Sequence, residues 1–246
     1  MTPPVVLAIA ATDSGGGAGL AADLATFAAL GVHGTCVVTA VTAQDTTGVH
    51  AIHPVPLDIV AAQLDAILTD LDPAVIKTGM LATAATVRLV AERCAGRTIV
   101  VDPVLRASTG AELATGEVID AYREYLLPIA TVITPNTDED RALGNPRNEL
   151  TMVTSPGSVA VSYGATGGGF CLTGPVIDTT NDHGTGCTFS AALAARLALG
   201  DDAMEAATRA HAFVAHQLTL SRDWDLGSGR GPIAHISMTT EPGANE

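Results

Sequence analysis

Lysine is almost missing from this sequence. Lys77 is the only one in 246 residues, and the other eleven basic residues are arginines. Acidic residues outnumber them, leaving a net charge of −14. That balance argues against a nucleic acid or an anionic membrane surface as partner. It also means that a phosphate bound here must be met by backbone amides and metal ions more than by cationic side chains. Aromatic residues are scarce too, at 3%, so Ala, Val, Leu and Ile must fill the core; the hydrophobic total of 47% is enough for a substantial one. Cys36, Cys94, Cys171 and Cys187 lie too far apart in sequence for a Cys-x-x-Cys metal or redox site. A reduced, cytoplasmic protein is expected. No apolar run approaches the roughly 20 residues of a membrane span, and the short run at 5–11 lacks the preceding basic region of a signal peptide.

What is present is an alternation of strands and helices. The continuous apolar run 5–11 reads as a strand buried on both faces. A Gly-rich loop follows, then a helix over 20–30 closed by Gly31. Further strands are expected at 35–41, 74–76, 98–101, 131–134 and 159–162. Helices are expected at 56–71, with Ile59, Leu64, Ile67 and Leu68 on one face, and at 83–94 and 117–127. Residues 42–48 read as a polar loop, and 144–157 show no clear period. Such alternation implies a doubly wound, mostly parallel sheet in a single domain over 1–238, with a disordered tail over 239–246.

Asp13, Gln44, Lys77, Asp102 and Asn136 each fall just past the carboxyl end of an expected strand, the edge where ligands bind open α/β sheets. The densest signal lies further on. Asp182-His183-Gly184-Thr185-Gly186-Cys187 feeds an Ala- and Leu-rich helix over 188–199. A helix N-terminus carries unpaired N–H groups and partial positive charge, and Gly184 and Gly186 let that backbone approach an anion closely. Cys187 in the first turn is expected to have a lowered thiol pKa and to act as base or nucleophile; a small buried Cys beside a structural turn is the alternative. Asn136 and Glu139, three apart, suit either a hydrated Mg²⁺ or a helix cap. The loop Gly15–Gly19 is not a dinucleotide fingerprint, because Leu20 stands where the last glycine is needed. None of the seven histidines shows metal-ligand spacing.

Taken together, these motifs resemble the hydroxymethylpyrimidine and phosphomethylpyrimidine kinases of thiamin biosynthesis, in the ribokinase-like superfamily. The residues that carry the likeness are Asp13-Ser14-Gly15-Gly16-Gly17-Ala18-Gly19 with Asp23, Thr39 to Gln44, Lys77-Thr78-Gly79-Met80-Leu81, Val101-Asp102-Pro103-Val104, Thr134-Pro135-Asn136, His183 to Thr188, Gly227-Ser228-Gly229 and Gly231-Pro232. The resemblance implies a three-layer α/β/α sandwich, usually dimeric, that uses ATP and Mg to phosphorylate hydroxymethylpyrimidine and then its monophosphate. It implies that the amides of Gly184, Thr185 and Gly186 hold the transferred phosphoryl group and that Cys187 takes the hydroxyl proton. Asp13, Ala18, Asp23, Gln44, Met80 and Val104 would bind substrate, with Gln44 on the aminopyrimidine edge. Lys77 and Asn136, with Thr185 and Gly186, would serve the nucleotide, and Asp102 and Glu139 the metal. A pyridoxal or pyridoxine kinase of the same fold is the near alternative, and a pyrimidine-binding homologue with impaired phosphoryl transfer a second. The chain departs from the family pattern at Asp45, where Asn is usual, and at Ser108, Ser162 and His211, where lysines are usual. Its segment 139–159 is also short.

Overall fold

The structure, a computed structural model, describes residues 2–107, 110–146, 148–163 and 168–235. Ser108, Gly164 and the expected tail at 239–246 lie outside them. Ten strands and seven α-helices are present among the described residues. Eight strands form one sheet in the order β10-β9-β8-β7-β6-β5-β1-β2. Its parallel part comprises β1 (Val5–Ala10), β2 (His33–Val38), β5 (Val75–Thr78), β6 (Ile99–Val101), β7 (Val132–Ile133) and β8 (Leu150–Ser155). Two antiparallel strands, β9 (Ser158–Tyr163) and β10 (Gly168–Thr173), extend it at one edge.

The period of two in β1 explains the three layers. Val6, Ala8 and Ala10 point into a core shared with α1 (Gly19–Ala29), α6 (Thr185–Ala198) and α7 (Ala203–Ser221). Leu7 and Ile9 point the other way, into a core shared with α2 (Leu57–Asp70), α3 (Ala84–Cys94) and α4 (Gly116–Ala121). A strand covered on both faces must be apolar throughout, as this one is. Where α6 packs, Ala191 to Ala195 are fully buried; small side chains there let the helix lie close on the sheet and on α7.

Several expectations need correction. The strand expected over 35–41 breaks at Thr39, which is buried and bonded to both Ala10 and Val55 through its backbone. Beyond it the chain leaves the main sheet. β3 (Ala40–Asp45) and β4 (Gly48–Pro54) form a separate antiparallel hairpin where a polar loop was expected. Its inner strand alternates Ala40 and Thr42 inward against Val41 and Ala43 outward, a period of two disguised by polar residues. On α2 the buried residues are Val60 and Leu64, while Ile59 is 49% exposed. The helix expected over 117–127 ends as α4 at Ala121 and continues as a π-turn, Tyr122–Leu126. Within 144–157 lies β8, unread because it is short and rich in Thr and Ser.

One half-buried group ties the last described segment to α6. His235 Nε2 lies 2.9 Å from Thr188 Oγ1, whose hydroxyl donates to Gly184 O. Burial, and then the neighbouring His183, depress its pKa from the ordinary 6.5 to about 4. Because the unfolded chain takes up this proton first, His235 contributes stability above about pH 6.5 that is lost as pH falls towards about 4. Thermal melts should therefore show less acid-induced loss over that window in His235→Gln than in the parent; an identical loss would remove His235 as the cause.

Candidate active site

The carboxyl ends of β1, β5 and β6 and the N-terminus of α6 meet at one rim. The loop after β1 is built around Asp13, whose Oδ1 accepts from Gly15 N and Oδ2 from Ala18 N, both at 2.8 Å. Burial pulls its pKa up, but the hydrogen bond from His183 and the two amides outweigh that, and the carboxyl sits below its ordinary range. Gly184, at φ 91°, occupies the left-handed region and caps α6, and a Cβ there would overlap Gly17 O. Only glycine permits this backbone-on-backbone contact. Beyond it Gly186 is exposed, with open space where a Cβ would stand.

The hairpin is fastened to the same loop. Thr42 N donates to Thr12 Oγ1 at 3.1 Å and Thr42 Oγ1 to Thr12 O at 2.8 Å. Ser14 Oγ donates to Gln44 O at 2.6 Å and accepts from Gln44 N at 2.8 Å. The register shifts between Ala43 and Gln44; such a bulge re-aims a side chain, and the Gln44 amide ends 3.3 Å from His183 Nε2. Asp45 does not reach into the site. Its Oδ1 accepts from Thr47 N, Thr47 Oγ1 and Gly48 N, and so shapes the hairpin turn.

A small apolar cluster lies past the carboxyl ends of β1 and β5. Ala11, Ala40 and Met80 are buried together, with Ala82, Val104 and Leu113 packed against them. Thr39 Oγ1 donates to Met80 O at 2.7 Å, and the fully buried Tyr122 hydroxyl donates to Gly79 O at 3.1 Å. The turn that carries Met80 is thus held from both sides.

Under the rim lies a group of buried charges. Lys77 is inside β5 rather than past its end, and its Nζ reaches Asp23 at 2.7 and 2.9 Å and Asp102 at 3.8 Å. Ser190 Oγ donates to Asp102 Oδ2 at 2.8 Å. Burial raises the Asp23 pKa to about 6 against the pull of Lys77, and raises that of Asp102 as well. The lysine pKa moves up, because its carboxylate neighbours, Asp23 foremost, outweigh its burial. Both groups of the Lys77–Asp23 pair are therefore charged at neutral pH.

Cys187 corrects a second expectation. Its residue is half-buried, and burial pushes the thiol up to about 12; Lys77 pulls it down, and the Asp102 and Asp23 charges push it further up. Desolvation and two carboxylates overcome the field of the helix end, so the resting group is a thiol. Asn136 and Glu139 form a capping box on α5 (Thr137–Ala142). Asn136 Oδ1 accepts from Asp138 N and Glu139 N, and Glu139 Oε2 accepts from Asn136 N, all at 2.9 Å. Glu139 Oε1 also accepts from Leu105 N at 3.2 Å. Burial, then the charge of Asp102, push Glu139 up to about 8.

Of the residues singled out from the sequence, Asp13, Ala18, Gln44 and Gly184 are brought together directly. Met80 joins Val104, and Asp23 joins Lys77, Asp102 and Cys187. Asn136 stands apart as a cap, its Oδ1 already committed. The sequence gives His183 no metal-ligand spacing and no role of its own; its place immediately before Gly184 is the signal it offers. Ser190, one helical turn after Cys187, was also missed.

Comparison with known proteins places this rim in context. Residues 13–160 and 155–234 match the phosphomethylpyrimidine kinase family. The chain belongs to that family. It is 41% identical over 257 residues to a hydroxymethylpyrimidine/phosphomethylpyrimidine kinase of Rhizobium meliloti, covering 94% of this chain and 97% of that one. It is 39% identical over 256 residues to a bifunctional thiamine biosynthesis protein of Geobacter sulfurreducens, covering 94% of this chain and 52% of the larger protein. In three dimensions it is similar to a Bacillus subtilis pyridoxal kinase solved as an ADP complex, with a TM-score of 0.86, 31% identity, and 95% and 98% of the two chains covered. Family membership makes the chain a kinase with the ribokinase-like fold.

The charge cluster yields a stability prediction. Lys77→Met strands two buried carboxylates and should cost about 3–5 kcal/mol in denaturant unfolding. Adding Asp23→Leu should restore more than half of the loss, since replacing a buried pair by apolar groups is often close to neutral. A double variant as unstable as the single one would show that the pair is not what Lys77 stabilises.

Proposed function

We propose that this chain transfers the γ-phosphoryl group of ATP to the hydroxymethyl group of 4-amino-5-hydroxymethyl-2-methylpyrimidine, and then to the phosphate of the product, in thiamin biosynthesis. The observation that carries the reading is the meeting of Gln44, the Met80–Val104 cluster and the Gly184–Cys187 turn at one rim. The cluster is rich in alanine, and side chains that small suit a flat methylated ring. Gln44 supplies the donor and acceptor that an aminopyrimidine edge requires, and Asp13 and Ala18 shape the loop beside it. Amides at 184–186, at the N-terminus of α6, face the place where charge develops on the transferred group.

Cys187 accepts the hydroxyl proton as a thiolate. Its resting thiol first releases its own proton to solvent, and the adjacent Lys77 ammonium is the group that favours the thiolate so formed. Asp23 and Asp102 keep that ammonium in place. Asp102 and Glu139 would hold the magnesium that comes with ATP, Glu139 through water because its oxygens already accept from Asn136 N and Leu105 N, and the cation would displace the proton that burial favours on it. Among the described residues no cluster of three His, Cys, Asp or Glu side chains suits a metal; a pair of carboxylates completed by phosphate and water is the donor set that Mg²⁺ favours. Magnesium there would neutralise charge on the phosphate oxygens. Thr185 and Gly186 serve the nucleotide phosphates. Lys77 and Asn136 belong to the nucleotide side only indirectly, one through Cys187 and the other by capping α5.

A pyridoxal-type alcohol is the second reading, favoured by the close likeness to the bacillary pyridoxal kinase; Gln44 and Met80 favour the pyrimidine. A homodimer is the proposed assembly, supported by Val41 and Ile52, exposed at 51% and 37% on the β3–β4 hairpin. No helix among the described residues is long and apolar enough to cross a membrane, and the cytoplasm is the proposed location.

The test is product formation from ATP and Mg²⁺ with three acceptors: the pyrimidine alcohol, its monophosphate and pyridoxine. Both pyrimidines are expected to be phosphorylated, the alcohol with the higher kcat/KM over pyridoxine; preference for pyridoxine would establish the second reading, and tight pyrimidine binding without ADP release would mark a binding protein. Cys187→Ala is expected to lower kcat by about 100-fold or more, the scale of a lost general base, while leaving pyrimidine affinity nearly unchanged. Unchanged turnover would take the proton-transfer role from Cys187.

A further inference from the structure

Gln44 has a carboxamide whose two ends differ, one a donor and the other an acceptor, and nothing in Gln44 itself decides which end meets a ligand. The decision is made by its neighbours. Asp13 is buried, accepts from two backbone amides and is held ionised, so it can only accept. His183 Nε2 lies 2.9 Å from Asp13 Oδ2 and must therefore carry a proton. That N–H cannot accept from an amide NH₂. The Gln44 end that stands 3.3 Å from the same nitrogen is consequently favoured as Oε1, since two facing donors would leave a polar group unsatisfied. A half-turn of the amide exchanges the two ends without moving any other atom.

The ring has little freedom to do otherwise. A Cβ on Gly17 would come within 2.5 Å of His183 Cδ2, so the absence of one makes room for the imidazole against the loop. Its backbone is fixed by His183 N to Gly231 O and Ile233 N to His183 O, both at 3.0 Å. The backbone of Gln44 is fixed in turn by Ser14. One loop thereby sets both the main chain of Gln44 and, through His183, the direction of its side chain.

We propose that His183 is a positioning residue that orients the Gln44 carboxamide, directing its Oε1 to the imidazole N–H and leaving its Nε2 hydrogens for the ligand, so that the site selects a ring edge that presents an acceptor nitrogen. This deepens the pyrimidine reading and rests on it. His183 touches no reacting atom; its effect falls on affinity and selectivity rather than on the chemical step.

The test is a double-mutant cycle read by calorimetric binding of 4-amino-5-hydroxymethyl-2-methylpyrimidine to the full chain. Gln44→Ala and His183→Leu are each expected to weaken binding by about tenfold, the scale of one lost hydrogen bond. The double variant should be no weaker than Gln44→Ala alone, because His183 acts only through Gln44. His183→Gln, which keeps a donor near the same place, should restore affinity to within about threefold of the parent. In each variant KM should move with Kd while kcat moves less. Additive losses in the cycle overturn the proposal. If His183→Leu does not fold, nitrogen-15 spectra of the parent decide, with the signal assigned by its loss in His183→Gln: protonated Nε2 supports the proposal, and unprotonated Nε2 overturns it. A parent that binds no pyrimidine overturns the functional reading and this proposal together, whereas a parent that binds it with an additive cycle overturns the proposal alone.

Discussion

The ion pair between Lys77 and Asp23 is the interaction on which the rim depends. A chain with a net charge of −14 places its single lysine on β5, an interior strand of the sheet, fully buried. Transferring such a group from water costs several kcal/mol unless close partners compensate it. Asp23 comes from α1, Asp102 follows β6, and Cys187 and Ser190 come from α6. The lysine therefore sets the distance between both helices and the sheet edge. If α6 moved outwards, Cys187 would leave the charge that favours its thiolate, and Asp102 would lose Ser190. Stability and the candidate proton transfer draw on the same contacts.

Close backbone approach is the second constraint, and it explains where the glycines fall. Gly184 abuts Gly17 O, Gly229 abuts Thr46 O and Gly231 abuts the Asn181 side chain, each too near to admit a Cβ. These three contacts join the loop after β1, the hairpin turn and the segment 227–232 into one collar. Arg230 adds an ion pair to Asp182 and donates its backbone N–H to Thr46 O. Few of these contacts bury large apolar surface, so the collar is held mainly by hydrogen bonds, a pattern associated with segments that open at low cost. The sandwich beneath, with β1 covered on both faces, belongs to the rigid part.

Much of this was legible in the sequence. Strands β1, β5, β6 and β7 announce themselves as apolar runs, because a strand buried on both faces must be apolar. Helix α1 shows its end at Gly31, and α3 its cap at Thr83, whose hydroxyl accepts from Thr86 N. The hairpin was not legible, since Thr42, Gln44 and Asp45 disguise the period of two in β3, and the residues that anchor it, Thr12 and Ser14, lie 30 positions away. Nor was the protonated state of Cys187: the helix end is visible in the sequence, whereas the buried carboxylates that outweigh it come from residues 23 and 102. His183 illustrates the same limit. Its chemistry is fixed by Asp13, 170 positions away, and the sequence shows only that it precedes a glycine.

The distribution of positive charge also bears on how a nucleotide would approach. Where the family resemblance implies lysines, β9 carries Ser162, bonded to Thr151 O, and α7 carries His211, whose ring lies against Gly174. Arg196 and Arg209 are engaged with Asp201 and Glu205, and Arg230 with Asp182. On the proposed reading, a nucleoside triphosphate would be met by N–H groups of α6 and by the cation it brings. Such dipoles act over a few ångströms, whereas the net charge acts over a Debye length of about 8 Å at physiological salt. The long-range field therefore opposes the nucleotide until it reaches the rim. Added salt would screen a repulsion rather than an attraction, reversing the sign of the salt dependence that a lysine-rich phosphate site shows.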